Sequence, residues 1–159
     1  MNMNIRKSIY FGLILFSATQ VQAAKLSLDQ FVHLSFINGV AANELANSSR
    51  KSAELSPGTY QIVVKYGNAD TFKKNARPFH SKPNILVIEV DERDMKLALP
   101  IGYRNVATAR YNFDRTPEWS IEYSDGSRKS LKVEQVSGTV MEYDAKIMAA
   151  YEQFKASNE

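Results

Sequence analysis

Apolar and polar residues alternate along most of the chain, and the period of that alternation predicts strands. The clearest run is Thr59–Tyr66, where Tyr60, Ile62, Val64 and Tyr66 share one face and Thr59, Gln61 and Lys65 the other. Before it, Leu26 and Leu28 start a short strand. Phe31–Ile37 forms another, with Val32, Leu34 and Phe36 on one side and His33 and Ser35 on the other. Ser52–Leu55 is a short strand, and Asn84–Val90 reads as apolar on both faces, as a covered central strand does. Met95–Leu99 ends at Pro100, Glu118–Tyr123 carries Trp119, Ile121 and Tyr123 on one face, and Lys129–Val136 returns with Leu131 and Val133 inward.

Turn residues punctuate these runs. Asn38-Gly39 and Asp125-Gly126 each suit a hairpin turn with positive φ at both central positions, and Pro57-Gly58 suits a type II turn. Two stretches change period. Asn105–Phe113 places Val106, Ala109, Arg110 and Phe113 at helical spacing. Near the end, Val140, Tyr143, Ile147, Met148, Tyr151 and Phe154 recur every three or four residues, and Thr139-x-x-Glu142 has capping-box spacing. Gly67–Pro83 is a long polar loop. The expected architecture is mainly β: an antiparallel β-sandwich of seven or eight short strands, with a short central helix and a C-terminal amphipathic helix packed on it.

The first residues follow another logic. Arg6-Lys7 precedes an uncharged apolar run, Ser8–Ala18, and small or β-branched residues stand at Val21 and Ala23. This is the layout of a signal peptide over residues 1–23, cleaved between Ala23 and Ala24, with a single β-rich domain over 24–159. The run is about eleven residues where a spanning helix needs about 20, so no stable membrane anchor is expected after cleavage. The periplasm is the expected location.

Charge and composition exclude more than they assign. The formal net charge is +3. Without Arg6 and Lys7, the 20 basic residues become 18 against 17 acidic ones, and the surplus falls to +1. The basic residues are scattered, with one small cluster at Lys73, Lys74 and Arg77, so no nucleic-acid partner is expected. The chain has no Cys, which removes disulfides, thiol nucleophiles and Cys-bound metals. Its two histidines, His33 and His80, read as isolated, so no metal site is expected. Asp91-Glu92-Arg93-Asp94 lacks the glycine and oxygen spacing of a calcium loop.

Glu118 and Glu122 would lie about 13 Å apart on one strand face, wider than glycosidase pairs. Ser124-Asp125-Gly126-Ser127 reads as a turn rather than a nucleophile elbow. Catalytic residues and cofactors are therefore expected to be none. Aromatic side chains are the remaining clue. Tyr103, Tyr111, Trp119 and Tyr123 belong mainly in the core, with a groove for glycan or peptide as the alternative.

The order of several short motifs carries a resemblance. They are Leu34-x-x-Ile37-Asn38-Gly39, Leu55-x-Pro57-Gly58-x-Tyr60-Gln61-Ile62-Val63-Val64-x-Tyr66, Ser81-Lys82-Pro83 and Leu97-Ala98-Leu99-Pro100. Ala109-Arg110-Tyr111-Asn112-Phe113 before Trp119 follows, then Glu142-Tyr143-Asp144 with Ala149-Ala150-Tyr151. Their sequence resembles the YccT-like exported proteins of Gram-negative gammaproteobacteria, which carry a domain of unknown function. The resemblance implies no activity, metal or catalytic residue. One branch of that family is described as inhibiting curli fibre assembly, which implies a protein-binding role and another periplasmic or secreted protein as partner. Longer relatives continue past the closing helix with a further tail. The alternative is a glycan- or small-ligand-binding module of the envelope.

Overall fold

The computed structural model of the chain describes residues 20–68 and 78–159. The apolar part of the leader and the Lys73, Lys74 and Arg77 cluster lie outside them. Among the described residues eleven strands form two sheets packed face to face, with two α-helices, so the expected mainly β sandwich is what the chain adopts. The first sheet contains β1 (Ala24–Leu28), β4 (Ser52–Leu55), β8 (Met95–Ala98), β9 (Trp119–Tyr123) and β10 (Arg128–Leu131), in the order β10-β9-β8-β1-β4. The second contains β2 (Val32–Ile37), β3 (Val40–Ala41), β5 (Gly58–Asn68), β7 (Asn84–Val90) and β11 (Val133–Gln135), in the order β11-β7-β5-β2-β3. The two-residue β6 (Phe79–His80) also pairs with β5. All pairings are antiparallel except β1 with β8.

The inner faces make one core. Leu26, Val32, Leu34, Ile62, Val64, Tyr66, Leu86, Ile88, Leu97, Trp119 and Ile121 are all at most 2% exposed. Each buried aliphatic side chain stabilises the fold by about 1.5–3 kcal/mol, which is how a chain without disulfides holds two sheets together. At one end the core is aromatic. The Phe113 ring lies 5.2 Å from Tyr66, 5.9 Å from Tyr103 and 6.0 Å from Trp119, the last two edge-on. Burial of these polar aromatics requires partners. The Tyr66 hydroxyl donates to the Tyr103 carbonyl at 2.5 Å, and the Trp119 Nε1–H donates to Asn84 Oδ1 at 3.3 Å. α1 (Val106–Phe113), capped by the Asn105 side chain on the Thr108 N–H, closes this end.

The outer face of the second sheet is covered by α2 (Tyr143–Ser157). Its entry carries the expected capping box: the Thr139 N–H and hydroxyl both meet the Glu142 carboxylate. Ile147 is buried against Val63, Ile85 and Val136, with Tyr143 and Ala150 beside it. Val140 and Met148, expected on this stripe, are 77% and 41% exposed. Tyr151 seats α2 on the Asn38-Gly39 turn, where a Cβ on Gly39 would lie 2.6 Å from the ring. Both turn residues have the expected positive φ, 47° and 74°.

Other expectations need correction. Strand number rises to eleven because β3 and β6 are only two residues long and because Lys129–Val136 is two strands, parted at Lys132 and shared between the sheets. A bulge between Leu34 and Phe36 turns Ile37 inward and sends Phe36 to the α2 side. Gly58 has φ +158°, near the extended region, and starts β5 instead of completing a type II turn. In the Ser124–Gly126 turn only Gly126 takes positive φ, at 87°, so this is a three-residue loop with a glycine bulge. The long polar segment is partly strand, since β5 runs to Asn68 and β6 returns beside it.

Candidate interaction site

The four aromatic residues considered for a groove do not line one. Tyr103 and Trp119 are 5% and 2% exposed and belong to the core. Tyr111 is on the surface under the Arg115 guanidinium, 3.6 Å from the ring centroid. Tyr123 is half-buried under Arg93, at 3.9 Å. Alternation within β9 already separates inward Trp119 from polar neighbours; clustering in the sequence carries no information about facing. Ala24, after the expected cleavage point, is the buried first residue of β1, while Ala23 is exposed.

His33 and His80 are not isolated. β2 and β6 both pair with β5 and bring the two imidazoles over Gly67, whose missing side chain leaves the room. Burial lowers the His33 pKa, with Lys51, Arg50 and His80 adding to the effect. Glu122 forms an ion pair with Arg128, and the Glu118 N–H donates to the Tyr103 hydroxyl at 3.2 Å.

The distinctive geometry lies where the strand from Arg128 to Gln135 changes sheets. β10 pairs with β9, and β11 pairs with only Asn84–Leu86 of β7. Among the described residues, the rest of β7, Val87–Val90, has β5 on one side and no strand on the other. Among the same residues β10 has no strand beyond β9. The two bare edges face each other across a seam that narrows to Lys132.

Ladder parity identifies the unpaired groups. In antiparallel pairs, hydrogen-bonded and non-hydrogen-bonded positions alternate. The Tyr123 N–H donates to the Ser127 carbonyl, so Ile121:Lys129 and Trp119:Leu131 are the bonded pairs, and Arg128 and Ser130 point their N–H and C=O outward. The Val136 N–H donates to the Pro83 carbonyl; by the same count Val87 meets Lys132, where the β11 pairing ends, and Glu89 beyond it turns its N–H and C=O toward the seam.

Side chains, not backbone, span this gap. Lys129 Nζ reaches Glu89 Oε2 at 2.9 Å, and the Tyr123 hydroxyl reaches the Glu89 carbonyl at 3.5 Å. At the wide end Arg93 donates to Asp91 Oδ1 at 3.2 Å, to Asp91 Oδ2 at 3.0 Å and 2.7 Å, and to Asp125 Oδ2 at 2.8 Å. The Arg93 hydrogen bonds hold the Asp91 carboxyl below the usual carboxylate range. Bonds from the Ser127 side chain and backbone, with Arg93, do so more strongly for Asp125. Arg93 thereby links the hairpin to the turn after β7.

Beside the seam, on the outer face of the second sheet, a groove of about 430 Å³ runs between α2 and β11. Val87, Ile85, Ala150 and Phe154 give it an apolar floor, and Lys132 stands at its margin. Val87 is 45% exposed and Glu89 is exposed, so β7 is not covered on both faces along its length as its sequence suggests. Among the residues of the site, Val87, Glu89, Arg93, Lys129 and Lys132 escape sequence reasoning. The one available signal is Glu89, a charge inside an otherwise apolar strand.

Among the described residues, no helix is long and apolar enough to cross a membrane. The family described as "Uncharacterized protein conserved in bacteria (DUF2057)" matches residues 25–158. Two UPF0319 proteins of Vibrio vulnificus, from strains YJ016 and CMCP6, are each 27% identical over 118 residues. The match covers 74% of this chain and 55% of each relative, so the chain spans about half the length of the curated relatives it matches. No solved structure matches.

Proposed function

The chain belongs to the DUF2057 family of uncharacterized proteins conserved in bacteria, and on that premise we propose that it is an exported, non-catalytic protein of the YccT-like kind that binds and modulates another polypeptide. In this reading the leader is removed between Ala23 and Ala24 and the domain works in the periplasm, on a periplasmic or secreted partner. The observation that carries it is the seam. Bare backbone edges on two neighbouring strands are a template for an extended segment, which gains main-chain hydrogen bonds on docking. The Arg93 links tether the hairpin near β7 before binding, which lowers the ordering cost.

Modulation of extracellular fibre assembly is the form of this function that the sequence resemblance favours. Its test is the lag time of an amyloid-forming subunit mixed with the purified domain. A longer lag with the native chain, lost in Ser130→Pro, supports it; an unchanged lag with the native chain contradicts it.

One observation favours a second reading, as a glycan- or small-ligand-binding module. A cleft of about 420 Å³ is lined by Phe79, Phe113, His80, Lys82, Asp114 and Gln135, which combine an apolar wall with polar groups. Phe113 touches Trp119 edge-on, so ligand entry should alter tryptophan emission. Titration with cell-wall fragments that leaves emission unchanged counts against it.

A further inference from the structure

The charges around the seam say what kind of segment fits it. The stretch Arg128–Lys132 contains three cations and no acid. Arg128 is paired with Glu122 and Lys129 with Glu89; Lys132 has no ion-pair partner among the described residues. Continuing the β11–β7 register by one step sets Lys132 opposite Val87. Alternation puts both side chains on the outer face, because Val133 packs on the inner core and Val87 is exposed. The lone cation and the exposed valine thus flank the same groove, with Phe154 across it.

We propose that the seam and groove together recognise an extended segment of a partner protein bearing an apolar residue and an acidic residue two positions apart. Residues at that spacing fall on one face of a strand, about 6–7 Å from each other. The apolar side chain would enter the groove over Val87 and Phe154, and the carboxylate would meet Lys132. Backbone groups of Arg128, Ser130 and Glu89 would supply the main-chain bonds. Lys129, on the inward side of β10, disfavours a strand that is apolar on both faces, which selects against indiscriminate edge pairing. The inference rests on the seam being the binding site.

Two synthetic peptides test it: a threonine-rich seven-residue strand with valine and glutamate two residues apart, and the same peptide with lysine for glutamate. NMR titration of the full chain should shift the Val87 and Ser130 amides, with the glutamate peptide binding roughly fivefold tighter. Lys132→Glu, an exposed substitution, should reverse the order of the two peptides. If both peptides shift these amides equally and Lys132→Glu changes nothing, recognition of the acid is overturned while the seam remains a binding site. If neither peptide moves Val87 or Ser130, the seam reading itself is overturned.

Discussion

The two flanks of the sandwich are closed by different means. On the flank of β2 and β4, main chain meets main chain. Arg50 accepts from the Leu34 N–H at 2.8 Å, Asn47 from the Glu54 N–H at 2.9 Å, and Ser52 from the Ser49 N–H at 2.8 Å. The Lys51 ammonium caps the Gln30 and Val32 carbonyls at 2.6 Å and 2.7 Å. Burial, more than Arg50, depresses the Lys51 pKa, against an opposing pull from Asp29. On the flank of β7 and β10, the strands splay and only exposed side chains cross. A backbone closure is insensitive to salt and leaves nothing to pair with; exposed ion pairs are weak and screened. An edge finished in the second way can be opened by a competing strand, whereas the first cannot.

The largest test of this contrast lies within β10. Lys129→Pro removes a ladder bond to Ile121 and should lower the thermal midpoint by about 10 °C, while Ser130→Pro removes only an outward N–H and should cost far less. Equal losses would mean the parity is wrong. Next is Gly39→Ala on the closed flank. Positive φ and the Tyr151 ring 2.6 Å from the new carbon should together cost about 2–3 kcal/mol by chemical denaturation.

Removing the two lysines should then separate the flanks. Lys51→Met leaves two carbonyls without their charged donor and should cost about 1–2 kcal/mol, unchanged in high salt. Lys129→Met should leave the midpoint within about 2 °C, and 1 M salt should abolish the difference.

The smallest effect is titration at the β2–β5–β6 corner. Because the folded state depresses the His33 pKa, its contribution is fully present above the unfolded value of about 6.5 and is lost as pH falls below it. Arg50 and Lys51, His80 on β6 and the cross-strand Lys65 all face it with positive or protonatable groups. Melting between pH 7 and 5 should show a modest decline that His33→Gln flattens.

Much of the architecture is legible from alternation and turn chemistry. Ser52–Leu55 and Asn84–Val90 are strands with the expected bounds, and Asn38-Gly39 and Thr139-x-x-Glu142 act as their types dictate. The seam is not legible, for a physical reason. Lys129–Glu134 alternates straight through Lys132, and a strand that leaves one sheet for another keeps its period across the bend. Only the partners on each side, β9 for the first half and β7 for the second, reveal the change. The bulge after Leu34 is hidden likewise, since Phe36 and Ile37 are both apolar and either could face inward. Arg93 and Asp125 are thirty-two residues apart and meet only because two turns end at the same corner.

Amide hydrogen exchange, resolved by residue, addresses the central claim most directly. Arg128, Ser130 and Glu89 should exchange at nearly unprotected rates, while Lys129, Leu131 and Ile88 beside them, and Leu34 and Glu54 on the closed flank, are slow. Protection of Ser130 and Glu89 comparable to that of Leu34 would mean that the seam is already paired, and the account would fail.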